Sequence, residues 1–374
     1  MKGSFCIVTH VVHKEHDGNY YGYAPYINEM NLWSKYANEV VVIAPSIKAI
    51  PGSIDSMYRK RNIRFIRVPE FNVIGFVSIL HLFWKLPYTT VLLLGAMSKS
   101  SHIHLRCPGN MGLLGCILQM LFPRKSKTAK YAGNWDWDSK QPWSYRLQQR
   151  ILRNIFLTKN IKVLVYGDWK ESANILPFFT ASYGEEEIIP SLPRTLENGE
   201  SIKLIFVGTL HEGKRPKLCL EVLKLLNQQG LSCEMNFYGD GPERIEMQKF
   251  IEHNEIEGIA KLHGNVEKSK LKEAYQQSHF LIFISKSEGW PKVVAESMFW
   301  GCLPITSRVS CVPEMLGNGT RGDIIEPSVD QIIERIEFYK KNLEVYSLKC
   351  NLAMDWSRTF TTERFENEIK SLLE

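Results

Sequence analysis

Between Phe280 and Glu314 the chain reads FLIFISKSEGWPKVVAESMFWGCLPITSRVSCVPE, and this stretch leaves few folds open. The apolar run Phe280 to Ile284 is short and β-branched enough for a buried strand, and it stops at Ser285, Lys286, Ser287, Glu288 and Gly289. Pro291 stands where a helix can begin, because a helix does not use the N–H that proline lacks at its first position. Val293, Val294, Met298 and Phe299 give that helix an apolar face, Gly301 closes it, and Leu303 to Thr306 is the next buried strand. Strand, loop, helix and strand in this order predict a doubly wound α/β domain.

The loop carries its own chemistry. A helix start after a strand presents free N–H groups and the positive end of the helix dipole, which suits phosphate, and Lys292 adds a full charge there. Glu288 lies in the loop and Glu296 on the helix. A carboxylate can accept hydrogen bonds from neighbouring hydroxyls, so the pair suits the sugar and ribose rings of one phosphate-bearing ligand; solvated surface glutamates are the alternative.

The same pattern recurs along the chain. Phe5 to Thr9 is a first strand, and the N-terminus is not read as a signal peptide. A polar loop with Gly18 and Gly22 follows, either as turn glycines or as part of a site, then a helix from about Pro25 to Tyr36 and a strand over Val40 to Ala44. Arg64 to Val68 is another strand. Phe71 to Met97 is apolar but broken by His81, Lys85 and Pro87, which predicts two helices meeting near Pro87, packed on the sheet or lying at a membrane surface. His102 to Arg106 ends a strand on Arg106, aimed into a site or held in an ion pair. Lys130 to Ala132 delivers Gly133, Asn134, Trp135 and Asp136 to the same edge, where Asp136 and Asp138 suit an acceptor hydroxyl or solvent. A helix over Trp143 to Phe156, a strand over Val163 to Tyr166 and a helix over Asp168 to Leu176 complete this half.

Proline-rich sequence around residue 190 ends the first domain, so the domains are expected over 1–190 and 191–357, with 358–374 as final helix. The second half restarts with a strand at Lys203 to Val207, then Gly208, Thr209, a turn to Lys214 and Arg215, and a helix over Lys217 to Gln229. A glycine turn with a lysine between strand and helix is phosphate-binding architecture. Cys233 to Tyr238 and Lys261 to His263 are further strands. Glycine at strand ends lets a flat base approach the backbone, so the base is expected near Gly239, Gly241, His263, Gly264 and Asn265. Ser269 is read as the cap of a helix over Lys270 to Ser278.

Charge is divided unevenly. Up to Thr180 there are 23 Lys and Arg against 10 Asp and Glu, and the remainder has 23 against 30. A basic first half fits an anionic membrane surface, and no nucleic-acid module accompanies it. Eight cysteines fall singly, without metal spacing, as reduced core thiols would in a cytoplasmic protein. No apolar run is long enough for a spanning helix.

Glu288 and Glu296, with Gly289, Pro291, Gly301, Pro304 and Val312-Pro313-Glu314, resemble the signature of family 4 retaining glycosyltransferases of the GT-B fold. Trp290 and Pro291 replace the usual aromatic and second glycine, and Pro304 comes one residue late. Gly208 to Gly213 with Lys214 resembles the family's phosphate segment, with Thr209 in place of its arginine; either Arg215 supplies the missing fork or the diphosphate is held more weakly. Asn134, or Trp135, stands where the family carries a histidine facing the reacting sugar.

The resemblance implies two Rossmann-like domains across a cleft, with the final helix returning to the first. It implies donor binding by Gly208, Thr209, Lys214, Arg215, Gly239, Gly241, His263, Gly264, Asn265, Glu288, Gly289, Trp290, Pro291, Lys292, Val293 and Glu296. Catalytic roles fall to Glu288, Lys214 and Asn134, and acceptor contacts to Gly18, Gly22, Arg106, Trp135 and Asp136. The implied reaction is metal-independent transfer from a nucleotide diphosphate sugar, without other cofactor, to a glycan or polyprenyl-linked acceptor. Its setting would be bacterial surface polysaccharide synthesis at the inner face of the membrane. The alternatives are an epimerase or hydrolase on the same scaffold, or a non-catalytic nucleotide-sugar-binding subunit.

Overall fold

A computed structural model describes residues 3–52, 54–70, 76–169, 172–190, 195–196 and 199–374. The chain divides into two compact units, Met1–Phe179 with Phe365–Glu374, and Thr180–Arg364. The expected change of domain was at 190, next to residues 191–194, which lie outside the described residues; the division falls at Phe179.

The first unit runs β1 (Ser4–Val8), β2 (His13–His16), β3 (Asn19–Tyr23), α1 (Ala24–Lys35), β4 (Glu39–Ala44), β5 (Ser46–Lys48), β6 (Asp55–Met57) and β7 (Ile63–Arg67). It continues with α2 (Phe76–Lys99), β8 (His102–Cys107), α3 (Asn110–Leu118), β9 (Ser126–Tyr131), α4 (Trp143–Arg153), β10 (Ile161–Tyr166) and β11 (Ile175–Phe178). Among the described residues, seven of these strands form a parallel sheet in the order β11-β10-β9-β8-β1-β4-β7. Parallel neighbours need crossover connections, so helices cover both faces and the strands are apolar on both sides. On β8, Ile103 and Leu105 join one core with Leu114 of α3 and Met97 of α2. His102 and His104 point the other way, stack on Phe5, and share the Thr128 hydroxyl at 2.9 and 2.8 Å.

The expected Gly18 and Gly22 loop is instead the β2–β3 hairpin of a small sheet, ordered β5-β2-β3-β6. Gly18 turns its tip at φ +72°, where a side chain would be strained. The two helices expected around Pro87 are one, α2, with the proline inside it. Leu93, Ala96 and Met97 bury the helix's last turns, which offsets the hydrogen bond that proline removes. Of the range expected as a helix over Asp168 to Leu176, residues 170 and 171 lie outside the described residues and the described ones form no helix; Ile175–Phe178 is instead an edge strand paired with β10, where Pro177 needs no donor on its open side.

The second unit runs β12 (Ile202–Val207), α5 (Pro216–Gln228), β13 (Cys233–Tyr238), α6 (Arg244–His253), β14 (Ala260–Gly264), α7 (Lys268–Gln277), β15 (Phe280–Phe283), α8 (Lys292–Phe299) and β16 (Leu303–Ser307). Then follow α9 (Val312–Met315), β17 (Asp323–Ile325), α10 (Val329–Lys341) and α11 (Leu343–Ser357). Helix α7 starts earlier than expected, with Glu267 rather than Ser269 at its cap position. The sheet is parallel throughout, in the order β14-β13-β12-β15-β16-β17. Leu220, Leu223, Phe237, Phe280 and Tyr346 lie in its continuous core.

A last helix, α12 (Thr362–Leu373), carries Phe365 onto Phe178 and Phe179, with ring centroids 5.4 and 5.6 Å apart. Lys35 Nζ and Tyr36 OH both donate to Glu366 at 2.6 Å. No helix among the described residues is long and apolar enough to cross a membrane.

His102 and His13, whose Nε2 meets Tyr58 OH at 3.0 Å, have pKa values lowered by burial from 6.5 to about 4. Each stays neutral in the fold while the unfolded chain takes up a proton. Their contribution is therefore complete above 6.5 and is lost as pH falls from 6.5 toward about 4. Denaturant titrations through this window should show stability falling by about 1.4 kcal/mol per pH unit for each histidine. A flat profile would contradict the assignment.

Candidate functional site

Strand order reverses between β12 and β15 in the second unit, and open α/β sheets bind ligands beyond the carboxyl ends of the strands at such a point. The loops leaving these strands meet there. The Lys286 N–H donates to Gly213 O at 2.8 Å, and an Arg215 Nη donates to Ile284 O at 3.1 Å. Lys214 Nζ forms an ion pair with Glu288 Oε1, which also accepts from Ser285 Oγ at 2.6 Å. Ser307 Oγ donates to Ser285 O at 2.6 Å and Ser310 Oγ to Gly289 O at 2.8 Å, tying the loop to the next strand and its turn.

Lys214 thus has one of its three N–H donors directed at a carboxylate and its charge held at the switch point. Arg215 sits at φ +54°, caps α5, and spends part of its guanidinium on the backbone. Thr209, in place of an arginine, is exposed.

Four glycines join the next loops. Gly208 N–H donates to Tyr238 O at 2.9 Å and Gly239 N–H to Gly264 O at 2.8 Å. A Cβ on Gly239 would fall 2.0 Å from Gly208 O, and one on Gly241 2.5 Å from Leu210 O. Close approach of protein backbone is sufficient reason for glycine at both positions. His263 stacks on Tyr238 at 4.5 Å and meets Asn236 Oδ1 at 2.7 Å, so its ring is already engaged, while Asn265 is exposed.

Helix α8 begins one residue later than expected, with Pro291 at its cap position, and Lys292 N–H turns back to Trp290 O, which reduces the free donors at its start. Trp290 packs on Trp356 and Phe360, all three rings half-buried. Val293 is half-buried on the first turn. Glu296 accepts from Ser182 Oγ at 2.5 Å and Tyr275 OH at 3.2 Å, beside a recess of about 10 Å³, roughly one water, that Lys292 and Tyr183 also line. Burial first, then Glu296, raises the pKa of both tyrosines. Ser182 and Tyr275 carry no local signal in sequence; Ser285, immediately beyond the strand, could have been found.

In the first unit the order reverses between β1 and β8. Arg106 does not point free into a site: it donates to Glu29 at 3.1 and 3.3 Å, and Lys130 meets the same carboxylate at 3.0 Å, all three buried or nearly so. Trp135 is fully buried against Tyr131 and is a core residue, which corrects its assignment to the acceptor. Asn134 Oδ1 accepts the Asp136 N–H at 3.0 Å and shapes the turn, while Asp136 Oδ1 accepts from the Asp138 N–H. Gly22 is buried, its Cβ position 3.2 Å from Ile27, so packing explains it. Gly18 borders a hollow of about 450 Å³ with Glu15, His16, Lys48 and Ile50. His10, not singled out in sequence, follows β1 two residues beyond Val8 and lies against Gly109, where a Cβ would fall 2.7 Å from its Nδ1; desolvation and then Arg106 lower its pKa. Among the described residues no group of three His, Cys, Asp or Glu is placed to hold a metal.

Residues 190–349 match the family model "Glycosyl transferases group 1". Curated relatives include the Saccharomyces cerevisiae phosphatidylinositol N-acetylglucosaminyltransferase GPI3 subunit, 22% identical over 37% of this chain, and a Homo sapiens subunit of the same transferase, 24% identical over 39%. In each case the match spans only 30% of the relative. Among solved structures, Thermosynechococcus elongatus sucrose-phosphate synthase superposes with TM-score 0.68 at 14% identity, covering 99% of this chain and 98% of that one. Anabaena Alr3699/HepE in complex with UDP-glucose gives 0.69 at 10% identity over 99% of both chains. The fold is GT-B, and most of the second unit, residues 190–349, is similar to the group 1 glycosyl transferase model.

Gly239→Ala should destabilise the second unit by about 3 kcal/mol or more, since the carbonyl it strikes belongs to backbone fixed by hydrogen bonds. Denaturant unfolding measures this, and a cost under about 1 kcal/mol would contradict the close approach.

Proposed function

We propose that the protein is a retaining hexosyltransferase-type glycosyltransferase taking a sugar from a nucleotide diphosphate donor. The observation that carries the reading is the Lys214–Glu288 pair, with Ser285, at the switch point of the group 1 domain. Cleaving the donor's glycosidic C–O bond leaves negative charge on the departing diphosphate. Lys214 keeps two N–H donors for it, and Arg215 and the start of α8 add positive potential, so this charge is stabilised more in the transition state than in the ground state. Glu288 accepts from donor-sugar hydroxyls and Glu296 from the ribose, exchanging the protein hydroxyls they hold for the ligand's. In this route the protein's own cations neutralise the leaving group.

UDP is the first nucleotide to test, because the similar Anabaena structure is a complex with UDP-glucose. A lipid-borne acceptor is supported by the curated relatives, named for transfer to phosphatidylinositol, and by the basic first half. We accordingly assign the protein to a cytoplasmic membrane face, in the assembly of a polyprenyl-linked or other surface glycan.

Thermal unfolding with UDP, GDP, ADP and their sugars tests the donor site. The cognate nucleotide at a hundred times Kd should add about 2.7 kcal/mol of stability. Glu296→Ala should lose this, and Lys214→Ala should lower kcat about a hundredfold. Stabilisation by none of these ligands, or full turnover by the Lys214 variant, would refute the reading.

A further inference from the structure

Helix α4 is expected from sequence to run to Phe156, but it ends at Arg153, and the next residues turn outward. Asn154 Oδ1 accepts the N–H groups of Phe156 and Leu157 at 3.0 and 3.1 Å, fixing the turn. Ile155, Phe156 and Leu157 are consecutive and 50, 78 and 43% exposed, and Leu121 is 65% exposed. The two loops are fastened side by side: Gln119 Nε2 donates to Leu157 O at 3.1 Å, and Asn160 Nδ2 donates to Pro123 O at 2.9 Å. A fixed apolar knob is thereby presented to solvent, with Ile117 beside it on α3.

Its surroundings are cationic. The segments that build it, 117–126 and 143–162, contain no Asp or Glu, and Arg124, Arg146 and Lys159 are exposed on them. From Phe71 to Gly167 only Asp136 and Asp138 are acidic, against 13 Lys and Arg. Both acids follow the carboxyl end of β9, whereas the knob adjoins the starts of β9 and β10. Exposed apolar side chains on segments that carry cations and no carboxylates match an interface whose surface is anionic and whose interior is hydrocarbon.

We propose that Leu121 and Ile155–Leu157 insert into an anionic lipid bilayer, held by the surrounding Arg and Lys. This deepens the membrane reading above and names its contact surface. Each apolar side chain that enters the acyl region strengthens partitioning by about tenfold, and the cations add a salt-sensitive attraction.

Flotation of the full chain with phosphatidylglycerol/phosphatidylcholine vesicles, and with phosphatidylcholine alone, tests this. The protein should float with the anionic vesicles only, less so in high salt. Leu121→Ser/Phe156→Ser should reduce binding at least about tenfold with an unchanged thermal transition, because both side chains are exposed. Ile50→Ser/Ile54→Ser, at an exposed apolar site away from these segments in sequence, should bind as the unaltered protein does. Equal flotation of the Leu121/Phe156 variant would overturn the proposal. So would an unaltered protein that floats with neither vesicle, or a dimer that this variant converts to monomer. Nucleotide-induced stabilisation, measured separately, reports whether the glycosyltransferase reading survives either result.

Discussion

Parallel strand pairing governs both units. A parallel strand cannot follow its neighbour through a tight turn, so each pair is joined by a crossover, and the strands' carboxyl ends collect on one edge. Where the winding reverses, between β12 and β15 and between β1 and β8, two loops diverge to opposite faces and leave a gap. Lys214, Ser285 and Glu288 occupy that position in the second unit, and His10 and Gly109 in the first.

The two edges are charged differently. In the second unit the cation and carboxylate at the edge are only half-buried, so a ligand can compete for either. In the first unit, Arg106 and Lys130 lie against Glu29 in the interior, where losing the carboxylate would leave two cations unpaired. That cluster is built as structure, and the hollow beside Gly18 lies on the accessory sheet instead.

Much of the second unit was legible because its signals are local. A β-branched run, a proline at a helix start and a glycine at its end depend on neighbours in sequence, and β15, α8 and β16 fall nearly where expected. In the first unit local signals misled in several places. Pro87 broke the helical pattern on paper, yet packing of Leu93 and Met97 kept α2 continuous; Ile175–Phe178 had no distinctive alternation and became a strand because β10 offered an unpaired edge.

The candidate site divides along the same line. Sequence by itself determined the α/β architecture, the strand-end loops and the residue types in them, since periodicity and turn chemistry are properties of a few adjacent residues. Only the tertiary structure decided which side chains meet: Lys214 with Glu288 across 74 positions, Ser182 with Glu296 across 114, and the Gly208 carbonyl in the space a Gly239 side chain would need. It also turned Trp135 into the core and Phe156 out to solvent. Those outcomes depend on strand order and on which face of a sheet is covered, and these are set by contacts between distant segments.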